Sequence, residues 1–278
     1  MKLFDVYPLY DVTPVRAEGV YVYDDQDTRY LDLYGGHAVI SIGHSHPHYV
    51  KSVQDQLEKI GFYSNAIQNP IQQELATAIG TQSCLNEYQL FLCSSGAEAI
   101  ENALKMASFH TGKKRVLAFN GAFHGRTSAA VAVTDNEKIT APLNQQQAVC
   151  FLPFNDTAAL AQELQKGDVC AVIFEPIQGV GGLDMPTEAF VLEMERLCQQ
   201  YQACLIADEV QSGFSRSGTF FAFQNTSIKP HIVTMAKGMG NGFPVGGILI
   251  HPDLKAEYGL LGTTFGGNHL ACRAALAV

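Results

Sequence analysis

The sequence predicts an α/β fold in which a mostly parallel, seven-stranded sheet is flanked by helices. Two observations support this prediction: short apolar runs alternate with amphipathic helical patterns, and each run has the length of a buried strand. The run VCAVIF is apolar throughout, as expected of a strand that is covered on both faces. The predicted strands are residues 89–93, 116–120, 148–152, 169–174, 203–208, 231–236 and 245–250.

Three helices are predicted between these strands. Their apolar residues recur three or four positions apart and therefore share one face, as Phe190, Met194 and Leu197 do in the last of them. The predicted helices are residues 98–110, 157–165 and 187–202. Helices that connect parallel strands are expected to cover the two faces of the sheet.

The first part of the chain has a different pattern. Residues 20–33 alternate between apolar and polar around an Asp-rich turn, which predicts a hairpin. A helix is expected from about Pro47, because apolar residues recur after it at helical spacing. Those apolar residues are Val50, Val53, Leu57 and Ile60.

The composition limits the class of protein. With 47% hydrophobic and 16% charged residues, the chain has an ordinary globular balance. A net charge of −9 and the lack of a Lys/Arg-rich run argue against nucleic acid as a main partner. No apolar run is long enough to predict a membrane span, and the N-terminus does not resemble a signal peptide. The seven cysteines include no Cys-x-x-Cys pair and are expected to be reduced core residues of a cytoplasmic protein.

Polar residues follow the ends of five predicted strands, the edge at which such sheets bind ligands. Lys237 comes directly after one strand, where burial would lower the pKa of its amine and favour the neutral nucleophile that forms a Schiff base. Asp208 ends the preceding strand and could pair with the protonated nitrogen of a pyridine ring. The alternatives are a lysine in an exposed turn and an aspartate that caps a turn, but the two residues together favour a pyridine cofactor.

A phosphate site is predicted at the start of the helix after residue 95. Ser95, Gly96 and Ala97 could bind a phosphate through free amides and a hydroxyl, although a plain helix cap is the alternative. No GxxxxGK[ST] loop and no early GxGxxG turn is present, which argues against nucleotide sites. Phe123 and His124 could stack on or flank an aromatic ring, although Phe123 could instead pack in the core. Arg126 could bind a carboxylate or form a surface ion pair.

A histidine cluster offers a different class of function. His44, His46 and His48 form an HxHxH pattern, with His37 nearby, and such a pattern can bind zinc in a metal-dependent hydrolase. Pro47 breaks the strand alternation, however, and no second cluster of His and Asp completes the ligand set. A turn before the next helix is expected, with no metal, and the hydrolase remains a remote alternative.

The order of six motifs resembles that of the class III aminotransferases, which are pyridoxal 5'-phosphate (PLP) enzymes of fold type I. The motifs are SSGAEA, FHGRT, EPIQG, ADEVQSGFSRSG, AKGMGNGFPVGG and TTFGGN. ADEVQSG lies one strand before AKG, which is the most specific of these features. The likeness covers nearly the whole chain and is greatest to members that act on N-acetylornithine. It implies that residues 1–45 are a segment of the small domain and that residues 46–278 are the large PLP-binding domain.

The resemblance also implies a role for each matching residue. Lys237 would carry PLP as a Schiff base and move a proton during the transfer. Asp208 would pair with the ring nitrogen, and Gln211 would lie near the phenolic oxygen. Arg126 would bind a substrate carboxylate, and His37 would line the pocket for the distal acyl group. The other implied contacts are Ser95, Gly96 and Ala97 at the phosphate, Phe123 on the ring, Glu175 beside the cofactor, and Thr264 at the phosphate of a neighbouring subunit in a homodimer.

The implied reaction moves the terminal amino group of N-acetylornithine or N-succinylornithine to 2-oxoglutarate, in arginine biosynthesis. Ornithine and 4-aminobutyrate are alternative donors. Val180 stands where many family members have a glutamate that controls access of the two substrates, which leaves the donor open. Family members also continue beyond the C-terminal helix seen here, so the chain is expected to be a fragment that lacks the small C-terminal domain. A non-catalytic fragment is therefore a further alternative.

Overall fold

The computed structural model describes residues 1–145 and 148–278. Its strands are β1 (Pro14–Glu18), β2 (Tyr21–Asp24), β3 (Arg29–Leu31), β4 (Gln89–Cys93), β5 (Arg115–Phe119), β6 (Val149–Leu152), β7 (Val169–Phe174), β8 (Cys204–Asp208), β9 (Ile232–Met235) and β10 (Gly246–Ile250). Its helices are α1 (Gly35–Ala38), α2 (Pro47–Leu57), α3 (Pro70–Ser83), α4 (Gly96–Thr111), α5 (Ser128–Ala132), α6 (Thr157–Leu164), α7 (Glu188–Tyr201) and α8 (His269–Ala277).

The predicted seven-stranded sheet is confirmed, and every predicted strand end lies within one residue of the observed one. The strand order is β4-β10-β9-β8-β7-β5-β6. Strands β9, β8, β7, β5 and β6 pair in parallel, whereas β10 is antiparallel to both of its neighbours. Apart from β10, the strands therefore end at one edge, and the loops that follow them lie side by side.

Both faces of the sheet carry a hydrophobic core. Along β7 all six residues are buried, and successive side chains point to opposite faces. Phe174 shares one core with Phe190 and Met194 of α7, and Ile173 shares the other with Ile100 of α4. Covering both faces explains why the strands read as continuous apolar runs rather than as alternating ones.

Polar side chains set the start of each long connecting helix. Asn69 begins α3, Ser95 begins α4, Asp156 begins α6 and Thr187 begins α7, and in each case the side-chain oxygen accepts a hydrogen bond from an amide in the first turn. These contacts satisfy amides that have no partner within the helix. The cap at Ser95 fixes the helix start that faces the site described below.

The N-terminal hairpin is confirmed as β2 and β3, and β1 extends it to a separate three-stranded antiparallel sheet. Helix α2 begins at Pro47 as predicted. Its apolar residues do not form a buried face, because Val50 and Leu57 are exposed while Gln56 is buried. Within the described part of the chain, no helix is both long enough and apolar enough to cross a membrane.

Candidate active site

A cavity of about 350 Å³ opens at the edge of the sheet where the parallel strands end. Eight of the eleven residues predicted for the site line it, and each follows or ends a strand. These residues are Ser95, Gly96, Ala97, Phe123, Glu175, Asp208, Gln211 and Lys237. Because the parallel strands end at one edge of the sheet, residues that are up to 142 positions apart in the sequence lie around one cavity.

Lys237 lies in the first turn after β9, in a short 3-10 helix that spans Lys237–Met239. Its φ angle of 44° lies in the left-handed region, which residues other than glycine rarely adopt. Burial lowers the pKa of its amine, although the charges of Asp208 and Glu175 act in the opposite direction. A larger fraction of the amine is therefore neutral, which is the form that attacks a carbonyl carbon.

Asp208 is the last residue of β8 and is only 4% exposed. Its Oδ2 lies 2.6 Å from Nδ1 of His124. Its Oδ1 accepts hydrogen bonds from the Thr234 hydroxyl at 2.9 Å and from the Val210 amide at 3.0 Å. Three contacts on three different segments therefore fix the orientation of this carboxylate.

His124, which the sequence predicts beside an aromatic ring, makes a contact with Asp208 that the sequence did not reveal. Its side chain is fully buried beside the cavity, and its amide donates to the Thr134 hydroxyl at 2.9 Å. Among the described residues, its Nε2 atom has no hydrogen-bond partner. The sequence gives no signal for its pairing with Asp208, because the two residues are 84 positions apart.

Glu175 connects two loops of the cavity wall. Its Oε1 accepts from the Phe123 amide at 2.9 Å, and its Oε2 accepts from the Gly179 amide at 3.0 Å. Burial raises the pKa of this carboxyl group. The contact with Phe123 fixes the backbone that carries the ring of that residue into the cavity.

Glu209 follows Asp208 and is fully buried. The Ser212 hydroxyl donates to its Oε2 at 2.7 Å, and the Phe223 amide donates to its Oε1 at 2.8 Å. Burial raises the pKa of Glu209 to about 7. The side chain therefore joins the loop after β8 to a separate buried segment rather than facing the cavity.

The start of α4 forms part of the cavity wall. The Ser95 hydroxyl accepts from the Glu98 amide at 3.2 Å, and a Glu98 carboxylate oxygen accepts from the Ser94 amide at 2.7 Å. The amides of Gly96 and Ala97 lie in the first turn, where no earlier helical carbonyl can accept from them. They can therefore bind an anion.

Two glycines, Gly96 and Gly179, allow neighbouring side chains to pack closely against the backbone near the cavity. A Cβ atom on Gly96 would lie 2.7 Å from Cγ1 of Val210, so a larger residue would displace Val210. A Cβ atom on Gly179 would lie 2.1 Å from Oε1 of Gln211, so a larger residue would displace the end of that side chain. Val180 follows, lines the cavity and is 64% exposed.

Three of the predicted site residues do not line the cavity. His37 is exposed and its ring lies 4.8 Å from that of Tyr34. Arg126 and Thr264 are also exposed. Arg126 directly follows Gly125, which does line the cavity, whereas Thr264 was expected to act in a neighbouring subunit.

The three histidines of the HxHxH pattern have different surroundings. Nε2 of His44 lies 2.7 Å from Oδ2 of Asp32, while His46 and His48 are exposed. Residues 1–145 and 148–278 contain no group of three or more His, Cys, Asp or Glu side chains that could hold a metal ion.

The cavity fits a phosphorylated pyridine aldehyde. It combines an amine of lowered pKa, a fixed carboxylate, an aromatic side chain and the free amides of a helix start. Each is a group that such a cofactor needs: the amine for its aldehyde, the carboxylate for its ring nitrogen and the amides for its phosphate.

Comparisons with known proteins agree with this chemistry. The family model described as "Aminotransferase class-III" matches residues 6–278. A curated acetylornithine aminotransferase of Halalkalibacterium halodurans is 41% identical over 99% of this chain and 72% of its own length. Another, from Archaeoglobus fulgidus, is 41% identical over 99% of this chain and 73% of its own length.

Solved structures share the fold. The ornithine aminotransferase from Toxoplasma gondii ME49 superposes with a TM-score of 0.91 at 26% identity and covers 97% of this chain. A second structure of that enzyme, which reveals partial occupancy of PLP at its active site, superposes with a TM-score of 0.89 at 27% identity over 97% of this chain. The chain spans 66% of the length of each of these two solved chains.

Proposed function

Because the chain belongs to the class III aminotransferases, PLP-dependent enzymes that transfer amino groups, we propose that its amino donor is N-acetylornithine. In the proposed reaction, the terminal amino group moves to 2-oxoglutarate and leaves a semialdehyde and glutamate. The observation that supports this donor is the likeness to proteins named acetylornithine aminotransferase, at 38–41% identity over 98–99% of the chain.

When bound, PLP carries the amino nitrogen between the two substrates and delocalises the negative charge that develops at the substrate carbon. We propose that the Lys237 amine holds the cofactor and then moves a proton at that carbon, since its lowered pKa supplies a neutral base. Asp208 is proposed to pair with the ring nitrogen. His124 and Thr234 would hold the Asp208 carboxylate in the required orientation through the contacts described above.

Except for Thr264, which is proposed from the family resemblance, the remaining cofactor contacts are proposed from the cavity lining. Ser95, Gly96 and Ala97 would bind the phosphate at the start of α4. Phe123 would pack on the ring, and Glu175 would fix the Phe123 backbone through its amide. Two further contacts complete the proposal: Gln211 near the phenolic oxygen, and Thr264 at the phosphate of a neighbouring subunit in a homodimer.

Two residues are proposed for the substrates. Arg126 would bind a carboxylate, because its backbone continues from Gly125 in the cavity wall. His37 would contact the distal acyl group, two positions before Val39, which also lines the cavity. We further propose that residues 1–45 belong to a small domain, that residues 46–278 form the large PLP-binding domain, and that the enzyme acts in arginine biosynthesis in the cytoplasm.

Ornithine is the second candidate donor. The fold superposes on an ornithine aminotransferase with a TM-score of 0.91. Val180 lines the cavity at a position where the family often carries a glutamate, which leaves the donor open. N-succinylornithine would be distinguished from N-acetylornithine by adding each of them separately and measuring the visible absorbance of the protein with PLP.

The test is the visible absorbance of the purified chain with PLP, before and after each donor is added without 2-oxoglutarate. A band that depends on Lys237, as shown by its loss in Lys237→Ala, is expected to bleach with N-acetylornithine. Bleaching with ornithine or 4-aminobutyrate alone would replace the proposed donor. No band in the wild type would contradict the assignment of Lys237 and its cavity as a PLP site in this chain.

A further inference from the structure

The N-terminal strap, defined as residues 39–43, is fastened to the loop that carries Lys237. The strap contains no helix or strand. The Ser41 hydroxyl donates to the carbonyl of Gly238 at 2.8 Å, and the Arg216 guanidinium donates to the carbonyl of Ile40 at 2.9 Å. Side chains rather than a regular backbone ladder therefore decide where the strap lies.

Asn241 makes three further contacts with the strap. Its Oδ1 accepts from the amides of Ser41 at 2.8 Å and Ile42 at 3.1 Å, and its Nδ2 donates to the carbonyl of Gly43 at 3.0 Å. A carboxamide accepts through its oxygen and donates through its nitrogen. An ionised carboxylate has no donor, and a hydroxyl has a single polar atom for all three contacts. The side chain is 7% exposed, so these bonds are largely shielded from water.

The backbone of Asn241 also suits this residue type. Its φ angle of 46° lies in the left-handed region, where asparagine is enriched relative to most other residues with a side chain. Glycine would accept the same backbone angle but would remove all three side-chain contacts. The backbone and the side-chain requirement can therefore be separated by experiment.

The strap forms one part of the cavity wall. Val39 lines the cavity, as do Gly242 and Phe243, which directly follow Asn241 in the sequence. Asn241 itself does not line the cavity, and the contacts that fix Asp208 come from outside the strap. A displaced strap would change the shape of the cavity without loosening the carboxylate.

We infer that Asn241 is a positioning residue that sets the affinity of the cavity for the amino donor by holding the strap in place. The inference rests on the proposed function in one respect, namely that the cavity binds the donor. Its effect falls on the KM for the donor, because none of the residues proposed to hold PLP belongs to the strap.

The test compares Asn241→Gly, Asn241→Asp and Asn225→Gly in the PLP-loaded protein. Asn241→Gly keeps the backbone angle and removes the three contacts, whereas Asn241→Asp keeps the two accepting contacts. Asn225 is an exposed control whose side chain donates to the Ala222 carbonyl in its own turn and to the Thr219 hydroxyl. Four quantities are measured: the Kd of PLP, the hydrogen exchange of the strap amides, and both the KM and the kcat for the preferred donor. The preferred donor is the one that the wild type uses best among N-acetylornithine, ornithine and 4-aminobutyrate.

Asn241→Gly is expected to raise the KM about tenfold, as the loss of two or three hydrogen bonds allows, with kcat and the Kd of PLP changed less than about twofold. The amides of Ser41 and Ile42 should exchange faster than in the wild type. Asn241→Asp should show a smaller rise in KM, and Asn225→Gly none. An unchanged KM, unchanged amide exchange, or a parallel loss of PLP affinity would overturn the inference.

Different results would contradict the proposed donor and the proposed role of Asn241. A wild type that prefers ornithine or 4-aminobutyrate contradicts the proposed donor, while the KM comparison with the preferred substrate still decides the role of Asn241. A wild type that uses none of the three contradicts the proposed donor as well. Amide exchange, which needs no substrate, then tests whether Asn241 holds the strap. Unchanged exchange in Asn241→Gly overturns the inference, and faster exchange with unchanged PLP affinity supports this holding role.

Discussion

Nδ1 of His124 lies 2.6 Å from Oδ2 of Asp208, and both side chains are almost fully removed from water. The Thr234 hydroxyl and the Val210 amide bind the other carboxylate oxygen. Because a hydrogen bond to a charged group is stronger when it is buried, the pair fixes the direction in which Asp208 presents its charge to the cavity.

Replacing His124 is therefore expected to weaken PLP binding. His124→Ala removes a bond to a charged group, worth about 1.5–3 kcal/mol, which corresponds to a rise of about tenfold to a hundredfold in the Kd of PLP. The Kd is measured by absorbance titration. His124→Asn is the matched control, because its amide can still donate near the position of Nδ1, and it should restore part of the affinity. Equal affinities for the wild type and His124→Ala would contradict this role.

The parts of this site that could be predicted are those whose sequence pattern lies within a few neighbouring residues. The apolar runs and their strand ends are local, and they correctly placed Lys237, Asp208 and Glu175 at one edge. The pairing of His124 with Asp208 is not local, since no spacing rule connects residues on loops after different strands. The same holds for Asn241 and the strap, which are about 200 positions apart.

Two further features could not be predicted from local sequence signals: the direction of β10, and the positions of the residues that were taken from the family resemblance alone. The antiparallel direction of β10 depends on pairing with β4 and β9, which its short apolar run does not encode. His37 and Thr264 were expected from the family pattern rather than from a strand end, and neither lines the cavity of the single chain.

Lys237 is expected to lower the free energy of unfolding of the PLP-free chain. Burial lowers the pKa of its amine from 10.5, so between the two values the unfolded chain binds more protons than the folded chain. The free energy of unfolding therefore rises as the pH increases through that window, and the full cost is present below it. Lys237→Met should be more stable than the wild type at pH 7, with a difference that shrinks toward pH 10.

This difference is measured by urea unfolding of the PLP-free proteins at both pH values. Lys59→Met serves as the control, since Lys59 is exposed and should give little change at either pH. A Lys237→Met variant that is less stable than the wild type at pH 7 would show that the buried amine is not the dominant effect.

Glu209 should give the chain a second pH dependence, of opposite sign. Its pKa of about 7 in the folded chain is higher than the ordinary value of 4.5, so the folded chain binds more protons between these values. The free energy of unfolding should therefore fall as the pH rises from about 4.5 to about 7. Glu209→Gln removes this dependence, and its stability relative to the wild type should increase across that range by at most about 3 kcal/mol.

Urea unfolding at pH 5 and pH 8 measures the effect of Glu209→Gln. The exposed Glu58 provides the control through Glu58→Gln, whose stability relative to the wild type should change little between the two pH values. A relative stability of Glu209→Gln that does not change between pH 5 and pH 8 would mean that the Glu209 carboxyl has the same protonation state in the folded and unfolded chains.

Gly96 lies close to the side chain of Val210. A Cβ atom on Gly96 would lie 2.7 Å from Cγ1 of Val210, and Val210 is bonded through its amide to Asp208. Gly96→Ala should therefore displace Val210, lower the free energy of unfolding by about 1–3 kcal/mol and weaken PLP binding at the start of α4. The double variant Gly96→Ala with Val210→Ala removes the clashing methyl groups and should recover most of the PLP affinity. If the double variant binds PLP no better than Gly96→Ala, the glycine is required for the backbone itself rather than for the space that Val210 occupies.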